Sequence, residues 1–304
     1  MIRPANFGFN EETAASNVFQ KKPISANDIN KQAQLEFDRM VKTLCANGVE
    51  VIVVNDTAEP HKPDAIFPNN WVSFHDDGTV FLYPMHAENR RLERREDIIS
   101  RLENQFSVKH VIDLSRFEFE DKFLEGTGSM VPDRENKIVY ACISPRTDRE
   151  VLGLFCEEEG YRPITFDAVD EKGRAIYHTN VLMCLGSGFA VICMDCIANP
   201  HEKIVVKESL TATKKQIVEI SFEQMNQFAG NMLEVKNKSG ETLIVMSRAA
   251  FNSLDNDQKA TLQKYGKLLY TDISTIEAIG GGSARCMMAE VHLPVISHSL
   301  PNSG

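Results

Sequence analysis

The sequence predicts an α/β fold in which five repeated modules close into a ring. Three observations predict it: five segments share one hairpin-like pattern, they recur roughly every 50 residues or slightly more, and helix-like stretches separate them. Such a period is typical of repeated supersecondary units. A closed ring would also leave no exposed sheet edge. The alternative is an open α/β sheet in which the spacing is accidental.

Each of the five segments has a short apolar strand, a turn and a second apolar strand. In the third segment, residues 180–183 lead through a turn at 186–188 to residues 190–192. The last segment, residues 286–291, lacks a second strand. We therefore expect residues 1–9 to supply that strand and close the ring. The segments begin at Asn70, Gly128, Asn180, Gly230 and Cys286.

Capping residues frame the stretches between the hairpins. Polar or acidic residues precede apolar periodic runs there, which is typical of helix entrances. The predicted helices lie within residues 89–104, 148–160 and 254–266. Further strands are predicted at residues 50–54, 111–114 and 161–166. No linker rich in Gly, Pro or Ser divides the chain, so we predict one domain spanning residues 1–304.

Composition excludes several classes of partner. The net charge is -10 and no Lys/Arg block is present, which argues against nucleic acid and anionic membranes and suits a cationic small molecule. The longest apolar stretch, residues 181–197, contains Asp195 and is interrupted by glycines, so it does not read as a membrane span. The first residues lack the basic and apolar regions of a secretory signal. We expect a cytoplasmic protein.

The seven cysteines do not suggest a disulfide framework, because they are odd in number and scattered. Cys193 and Cys196 form a C-x-x-C pair, which leaves a metal or redox site as one alternative. Zinc usually needs four ligands, and no second pair accompanies this one. In a strand, the two thiols would also face opposite sides. We therefore predict no metal and no cofactor.

Polar residues stand at the starts of the modules, where side chains from distant parts of the chain can meet. Glu125 precedes one hairpin, His178 the next, and residues 280–282 are three glycines shortly before Cys286. Such a glycine run indicates a tight bend or a close approach to a ligand. A nucleophile, a base and an orienting acid form the expected catalytic set. Alone, each has a simpler explanation: a buried thiol, a core histidine, or a surface acid.

Several short motifs carry a resemblance to a known family. They include MIRP at 1–4, PDAIF at 63–67, FLEG at 123–126, SPRT at 144–147, YHTN at 177–180 and GGSARC at 281–286. In this order the set resembles the guanidino-group-modifying enzymes, the pentein superfamily of arginine deiminases, dimethylargininases and amidinotransferases. The strongest likeness is to the amidinotransferase-like group that includes citrulline-utilisation hydrolases. The resemblance implies a single-domain five-module α/β propeller that acts on a small arginine-like molecule.

The resemblance also implies roles for individual residues. Cys286 would attack the terminal carbon of the substrate, and His178 would serve as general acid and base. Glu125 would hold His178 or a substrate nitrogen. Arg146 matches an arginine that binds the substrate carboxylate, and Asp64 matches an acid near its amino end. Arg90 or Arg91 would add a second carboxylate contact, unless this stretch is a solvated helix face.

Two positions depart from the family pattern. Asn180 stands where arginine deiminases have an acid, and Asn70 stands where dimethylargininases have one. An amide both donates and accepts hydrogen bonds, whereas a carboxylate only accepts and neutralises a guanidinium. This departure suggests a neutral ureido substrate such as citrulline as a hypothesis beside arginine derivatives.

Two other functions remain open on the sequence. An amidinotransferase would form the same covalent intermediate and pass it to an amine. A non-catalytic binding module of the same architecture would need no central thiol. A homo-oligomer is compatible with the sequence, but the sequence does not indicate the number of subunits.

Overall fold

The computed structural model describes residues 1–14, 16–23 and 28–296. Residues 15, 24–27 and 297–304 of the predicted domain lie outside the described part. The described residues form a mixed α/β fold with several small sheets. None of the described helices has the length and apolar character needed to cross a membrane.

The strands are β1 (Ile2–Arg3), β2 (Val54–Asn55), β3 (Val72–Phe74), β4 (Thr79–Leu82), β5 (His110–Asp113), β6 (Val131–Asp133), β7 (Ile138–Cys142), β8 (Arg162–Phe166), β9 (Met183–Leu185), β10 (Phe189–Ile192), β11 (Gln216–Glu219), β12 (Leu233–Lys236), β13 (Thr242–Ser247) and β14 (Lys267–Thr271). The α-helices are α1 (Glu11–Ala14), α2 (Ile29–Ala46), α3 (Glu88–Arg91), α4 (Glu96–Leu102), α5 (Gly126–Ser129), α6 (Arg149–Glu159), α7 (Thr179–Leu182), α8 (Pro200–Ala212), α9 (Phe222–Asn226), α10 (Arg248–Ser253), α11 (Asn256–Gln263) and α12 (Ser274–Gly280). Three 3₁₀ helices span Pro68–Asn70, Ser115–Glu120 and Met194–Cys196.

Four three-stranded sheets share one topology. Their strand orders are β3-β4-β5, β6-β7-β8, β9-β10-β11 and β12-β13-β14. In each sheet the first two strands are antiparallel, and the third runs parallel to the second after at least one helix. The predicted hairpins of the first four segments, each followed by a helix and a further strand, are thereby confirmed.

The remaining sheet differs from the prediction. β1 pairs in parallel with β2, so the N-terminal segment does supply a strand, but its partner is Val54–Asn55. The predicted strand at residues 286–291 is wrong. The amides of Cys286, Met287 and Met288 donate to carbonyls three residues earlier, at 3.0, 3.3 and 3.2 Å, so they are not available to a sheet. Within the described residues, this stretch joins a strand only where Val291 bridges to Phe74.

Capping residues predicted the bounds of α6 correctly, but the helix predicted at residues 89–104 is divided in the structure. Asp148 caps α6 by accepting from the amides of Glu150 and Val151, and Gly160 ends the helix in a left-handed conformation. The predicted helix at 89–104 is instead divided into α3 and α4. The amides of Glu93 and Arg94 donate to carbonyls three residues back, which interrupts the α-helical pattern between them.

The outer helices bury one apolar face each. α2 buries Ala33, Phe37, Met40 and Leu44, whose spacing of four, three and four residues lies along one side of a helix. These side chains pack in one cluster with Met287 and neighbours from β12, β13 and β14. Replacing a buried phenylalanine of this kind by alanine costs about 3 to 5 kcal/mol. The packing therefore fixes the loop that contains Cys286.

Short helical turns stand where the hairpins were predicted to begin. We call the 3₁₀ helix Pro68–Asn70 and the helices α5 and α7 the entry turns. Each leads into the first strand of its sheet, and side-chain hydrogen bonds join each to the segment that precedes the next sheet. Thr179 donates its hydroxyl to the carbonyl of Ser129, and Asn231 donates its amide to the carbonyl of Asn180 at 3.0 Å. Polar residues from separate sheets are thus held side by side.

Candidate functional site

A small buried cavity lies where the entry turns meet. Six of the eight residues predicted for the site line it: Asp64, Asn70, Arg90, Arg146, His178 and Cys286. The other lining residues are Thr13, Asn17, Phe67, Tyr177, Gly280, Gly281 and Gly282. Glu125 and Asn180 lie behind the cavity, bonded to His178 and Cys286 respectively. The free volume is about 20 Å³, which holds about one water molecule.

Glu125 and His178 form a buried hydrogen bond. His178 Nε2 lies 2.8 Å from Glu125 Oε2, and Glu125 also accepts the His86 amide at 3.0 Å. Burial would raise the pKa of Glu125, but Arg146 and His178 outweigh it and hold the pKa well below its usual range. Burial lowers the pKa of His178 to about 4 against the opposing effect of Glu125. At neutral pH, His178 is therefore neutral, and the ionised acid requires its proton on Nε2.

Arg146 is engaged on two sides. Its Nη1 lies 3.4 Å from Glu125, and its Nη2 donates to the Thr13 carbonyl at 3.1 Å and to Ser16 Oγ at 2.5 Å. The guanidinium also lies 4.9 Å from the centre of the Tyr177 ring. Its Nε has no hydrogen-bond partner among the described residues. A ligand carboxylate could reach Arg146 by replacing Thr13 and Ser16.

Cys286 contacts two amide side chains. Asn180 Nδ2 lies 3.4 Å from its sulfur, and Asn231 Nδ2 lies 3.3 Å from it. In the described part of the chain, no hydrogen bond joins Cys286 to His178, although both line the same cavity. The thiol and the imidazole thus face one space in which a reacting carbon could lie between them.

Asp64 is the acid inside the cavity. Its Oδ2 accepts from Asn10 Nδ2 at 2.7 Å and from the Thr13 hydroxyl at 3.2 Å. Its Oδ1 is buried and, within the described residues, has no partner. Burial raises the pKa of Asp64 above its ordinary value, while Arg90 and Asn10 oppose that shift. The unpaired oxygen is a suitable acceptor for a ligand amine.

Arg90 is buried, so the alternative of a solvated helix face is wrong for this residue. Its guanidinium pairs with Glu93 at 2.9 Å and donates to Asn70 Oδ1 at 3.0 Å. Asn70 in turn directs its amide to the Glu125 carbonyl at 3.4 Å. Arg91 does not line the cavity and donates to the Met85 carbonyl.

The predicted bend of the glycine run is present. α12 ends at Gly280, and Gly281 has a φ of 65°, the left-handed conformation that favours glycine. A Cβ at Gly282 would lie 2.8 Å from the Phe67 ring. The Gly281 carbonyl accepts from the Tyr177 hydroxyl at 3.1 Å. The run thus both turns the chain and forms one wall of the cavity.

Sequence reasoning missed two groups of residues. Asn231 contacts the sulfur, and its place at the start of the fourth segment, like that of Asn180 in the third, was a usable signal. Asn10, Thr13 and Ser16 contact Asp64 or Arg146 and cover the cavity. No local pattern marks them, because their partners are more than 50 positions away in the chain.

Cys193 and Cys196 do not lie in a strand, so the prediction that their thiols face opposite sides is wrong. Met194–Cys196 is a 3₁₀ helix that begins directly after Cys193, not a strand, and residues three apart in such a helix lie on one side. Both thiols are fully buried. Within the described residues, no group of three or more His, Cys, Asp or Glu side chains could hold a metal ion.

The sequence of this chain matches one known protein family. A family model described as N,N dimethylarginine dimethylhydrolase, eukaryotic, matches residues 3–293. A search of curated proteins gave no match.

Solved structures share the fold. Full-length ArgZ, an arginine dihydrolase from the ornithine-ammonia cycle in cyanobacteria, has 19% identity and a TM-score of 0.75 over 97% of this chain and 40% of its own. Its N-terminal domain with bound substrate has 19% identity and a TM-score of 0.74, covering 97% of this chain and 98% of that domain. A dimethylarginine dimethylaminohydrolase adduct has 14% identity and a TM-score of 0.61, covering 94% and 96%.

The chain thus spans 40% of full-length ArgZ and nearly the whole of its N-terminal domain. At these identities the structural likeness concerns the fold, whereas the family model covers almost the entire sequence. The chain belongs to the dimethylarginine dimethylhydrolase family, within the pentein superfamily of guanidino-modifying enzymes.

Proposed function

We propose that this chain is a cysteine hydrolase that cleaves a terminal C–N bond of a guanidino amino acid, such as arginine or an N-methylated arginine. One observation carries the proposal: His178, directly before α7, and Cys286, in the loop after α12, line one buried cavity, and Glu125 holds His178 from behind. Family membership supports this activity.

We also propose that residues 1–304 form a single catalytic domain whose five modules make a closed α/β propeller.

The proposed reaction has two steps that share one intermediate. The sulfur of Cys286 forms a bond to the guanidinium carbon while the thiol proton passes to His178. His178 returns that proton to the departing nitrogen as the C–N bond breaks. Water then attacks the S-amidino carbon and gives a proton to His178. The C–S bond breaks, the sulfur takes that proton from His178, the hydroxyl proton of the adduct passes to solvent, and a neutral ureido product leaves.

Charged groups in the cavity suit the two ends of an amino acid. The unpaired oxygen of Asp64 would accept from the α-ammonium group. Arg146 would bind the α-carboxylate in place of Thr13 and Ser16, and its two parallel donors match that geometry. Arg90 would add positive charge on the same side. These roles follow the family resemblance and the positions of the side chains.

The same contacts favour a guanidinium over a ureido group. The ureido hypothesis needed amide donors for a carbonyl oxygen. Asn180 directs its donor to Cys286, and Asn70 directs its own to the Glu125 carbonyl. The oxygen of Asn180 has no partner among the described residues, and an acceptor suits a guanidinium N–H. The ionised Glu125 nearby also favours a cationic group.

A mass-spectrometric substrate screen tests the proposal. Arginine, mono- and dimethylated arginine, citrulline and agmatine are each incubated with the enzyme and with Cys286→Ser. We expect turnover of a guanidino amino acid, a mass increase on the peptide that contains Cys286, and no turnover by the variant. Preference for citrulline would restore the ureido hypothesis, and full activity of the variant would refute the nucleophile.

The same screen separates the alternative functions. An amidinotransferase would release a guanidino product when glycine or another amine is added, and a hydrolase would not. A binding module would bind arginine without any turnover in either protein. The position of His178, which is held by Glu125 and lines the same cavity as Cys286, favours hydrolysis or transfer over binding alone, because binding requires no proton carrier that faces a thiol.

A further inference from the structure

Two neutral amides donate to the sulfur of Cys286. The donor nitrogens of Asn231 and Asn180 lie 3.3 and 3.4 Å from Sγ, within hydrogen-bond distance for sulfur. All three side chains are buried, so water does not compete strongly for these donors. A sulfur with two donors is better suited to carry negative charge than one packed among aliphatic groups.

The orientation of the Asn231 amide is fixed by the backbone. Its Oδ1 accepts from the Arg285 amide at 3.0 Å, which only an oxygen can do. Its Nδ2 donates to the Asn180 carbonyl at 3.0 Å, which only an NH₂ group can do. The second hydrogen of that NH₂ group is left for the sulfur. Rotating the amide would break both backbone contacts, so Nδ2, at 3.3 Å, stays nearer the sulfur than Oδ1, at 3.7 Å.

Asn180 has a simpler environment. Its Nδ2 makes a hydrogen bond to the sulfur, and its Oδ1 has no partner within the described residues. The Asn180 side chain therefore contributes to the site mainly through the sulfur contact. Because Asn180 also accepts from Asn231 through its backbone carbonyl, the two amides form one connected unit beside Cys286.

We propose that Asn231 and Asn180 are catalytic residues that together stabilise the negative sulfur of Cys286 once its proton has left. This inference rests on the proposed role of Cys286 as the nucleophile. Reactive thiols are commonly stabilised by a nearby cation. A cation at that position would repel a guanidinium, whereas neutral amide donors stabilise the thiolate without adding positive charge. The arrangement thus suits a cationic substrate.

The pH dependence of alkylation at Cys286 tests this stabilisation without any substrate. Iodoacetamide labelling is followed from pH 5.5 to 10 on the peptide that contains Cys286, in the wild type, Asn180→Leu and Asn231→Asp. Asn180→Leu removes one donor and leaves the backbone contacts in place. Asn231→Asp keeps an oxygen for the Arg285 amide but loses the NH₂ group. Each variant should label about tenfold more slowly at pH 7, with its midpoint at higher pH.

Two controls isolate the hydrogen bonds. Asn70→Asp adds the same charge in the same cavity, but Asn70 does not contact the sulfur, so its midpoint should move less than that of Asn231→Asp. The exposed Cys45 provides an internal control whose labelling should be unchanged in all variants. Thermal unfolding checks that each variant is folded.

The outcomes distinguish this inference from the proposed function. Unchanged midpoints in folded Asn180→Leu and Asn231→Asp would overturn the amide stabilisation even if the enzyme turns over arginine. An Asn70→Asp shift as large as that of Asn231→Asp, with no shift in Asn180→Leu, would also overturn it. Shifted midpoints in an enzyme that turns over no guanidino compound would uphold the stabilised thiolate and refute the proposed function.

Discussion

The imidazole of His178 lies 2.8 Å from the carboxylate of Glu125, and both side chains are almost completely removed from solvent. Glu125 directly precedes the entry turn α5 and His178 directly precedes the entry turn α7, and the two residues are 53 positions apart. Arg146 contacts the same carboxylate at 3.4 Å. The acid is therefore ionised in a buried site, where its charge can hold the imidazole and stabilise it when protonated.

Glu125→Gln should lower kcat at least about 100-fold, because the imidazolium that forms during the reaction loses its counter-charge. It should also lower the free energy of unfolding by about 3 kcal/mol, since Arg146 is left buried without its partner. Steady-state kinetics and urea unfolding measure the two effects. Glu118→Gln is the matched control, because Glu118 pairs with Arg94 away from the cavity. Glu118→Gln should lower the free energy of unfolding and leave kcat unchanged. An equal loss of kcat in Glu118→Gln and Glu125→Gln would contradict the role of Glu125.

Gly128→Ala should disturb the site directly. A Cβ there would lie 2.3 Å from Asn70 Nδ2 and 3.0 Å from the His178 ring, so one of them must move. We expect kcat/KM to fall at least about tenfold and stability to fall by about 1 to 3 kcal/mol. Gly153→Ala in α6 has no atom within 4 Å of the new Cβ. Gly153→Ala should therefore raise the free energy of unfolding by about 0.5 to 1 kcal/mol and leave kcat/KM unchanged. An unchanged kcat/KM in Gly128→Ala would show that the reaction tolerates a displacement of Asn70 or of the His178 ring.

Ser16→Ala should weaken the cover over the cavity. The free volume of about 20 Å³ does not admit an arginine, so we expect Thr13 and Ser16 to shift away from Arg146 when an arginine-like substrate binds. Removing one acceptor from Arg146 should lower KM about three- to tenfold at constant kcat. Kinetics with arginine and limited proteolysis measure the change, and Ser239→Ala in an exposed turn is the control. A higher KM would mean that Ser16 helps to hold the substrate.

Glu277→Gln should change how stability depends on pH. Burial raises the pKa of Glu277 from 4.5 to about 7, and its carboxyl accepts from the Ser283 hydroxyl at 2.6 Å. Stability from a raised acid pKa is present below 4.5 and is lost as pH rises to about 7. His178 has the opposite effect, because its lowered pKa costs stability as pH falls from 6.5 to about 4. The wild type therefore combines two opposing slopes.

The variant removes only the Glu277 contribution. The free energy of unfolding of the variant minus that of the wild type should rise by roughly 1 kcal/mol per pH unit between pH 5 and pH 7. Urea unfolding of both proteins at pH 5, 6 and 7 measures this difference. Parallel stability curves would show that Glu277 is ionised throughout this range.

The periodic features were predictable because they depend on neighbours in the chain. Asp148 and Gly160 marked the ends of α6, and short apolar runs on both sides of a turn marked the hairpins of four sheets. The loop that contains Cys286 was not predictable in this way. Its apolar residues suggest a strand, but its amides are occupied by carbonyls three residues earlier. The apolar side chains are buried there by packing against α2, which the local pattern does not reveal.

By itself, the sequence determined the repeated order of strands and helices and which polar residues stand at the start of each module, because capping, periodicity and chain spacing are local properties. Only the tertiary structure decided that Asn231 and Asn180 both reach the sulfur, that Arg146 contacts Glu125, and that Asn10, Thr13 and Ser16 contact Asp64 or Arg146 beside the cavity. These contacts join residues 21 to 133 positions apart. These contacts depend on how the turns pack against one another in the folded chain, and the spacing of residues along the chain does not specify that geometry.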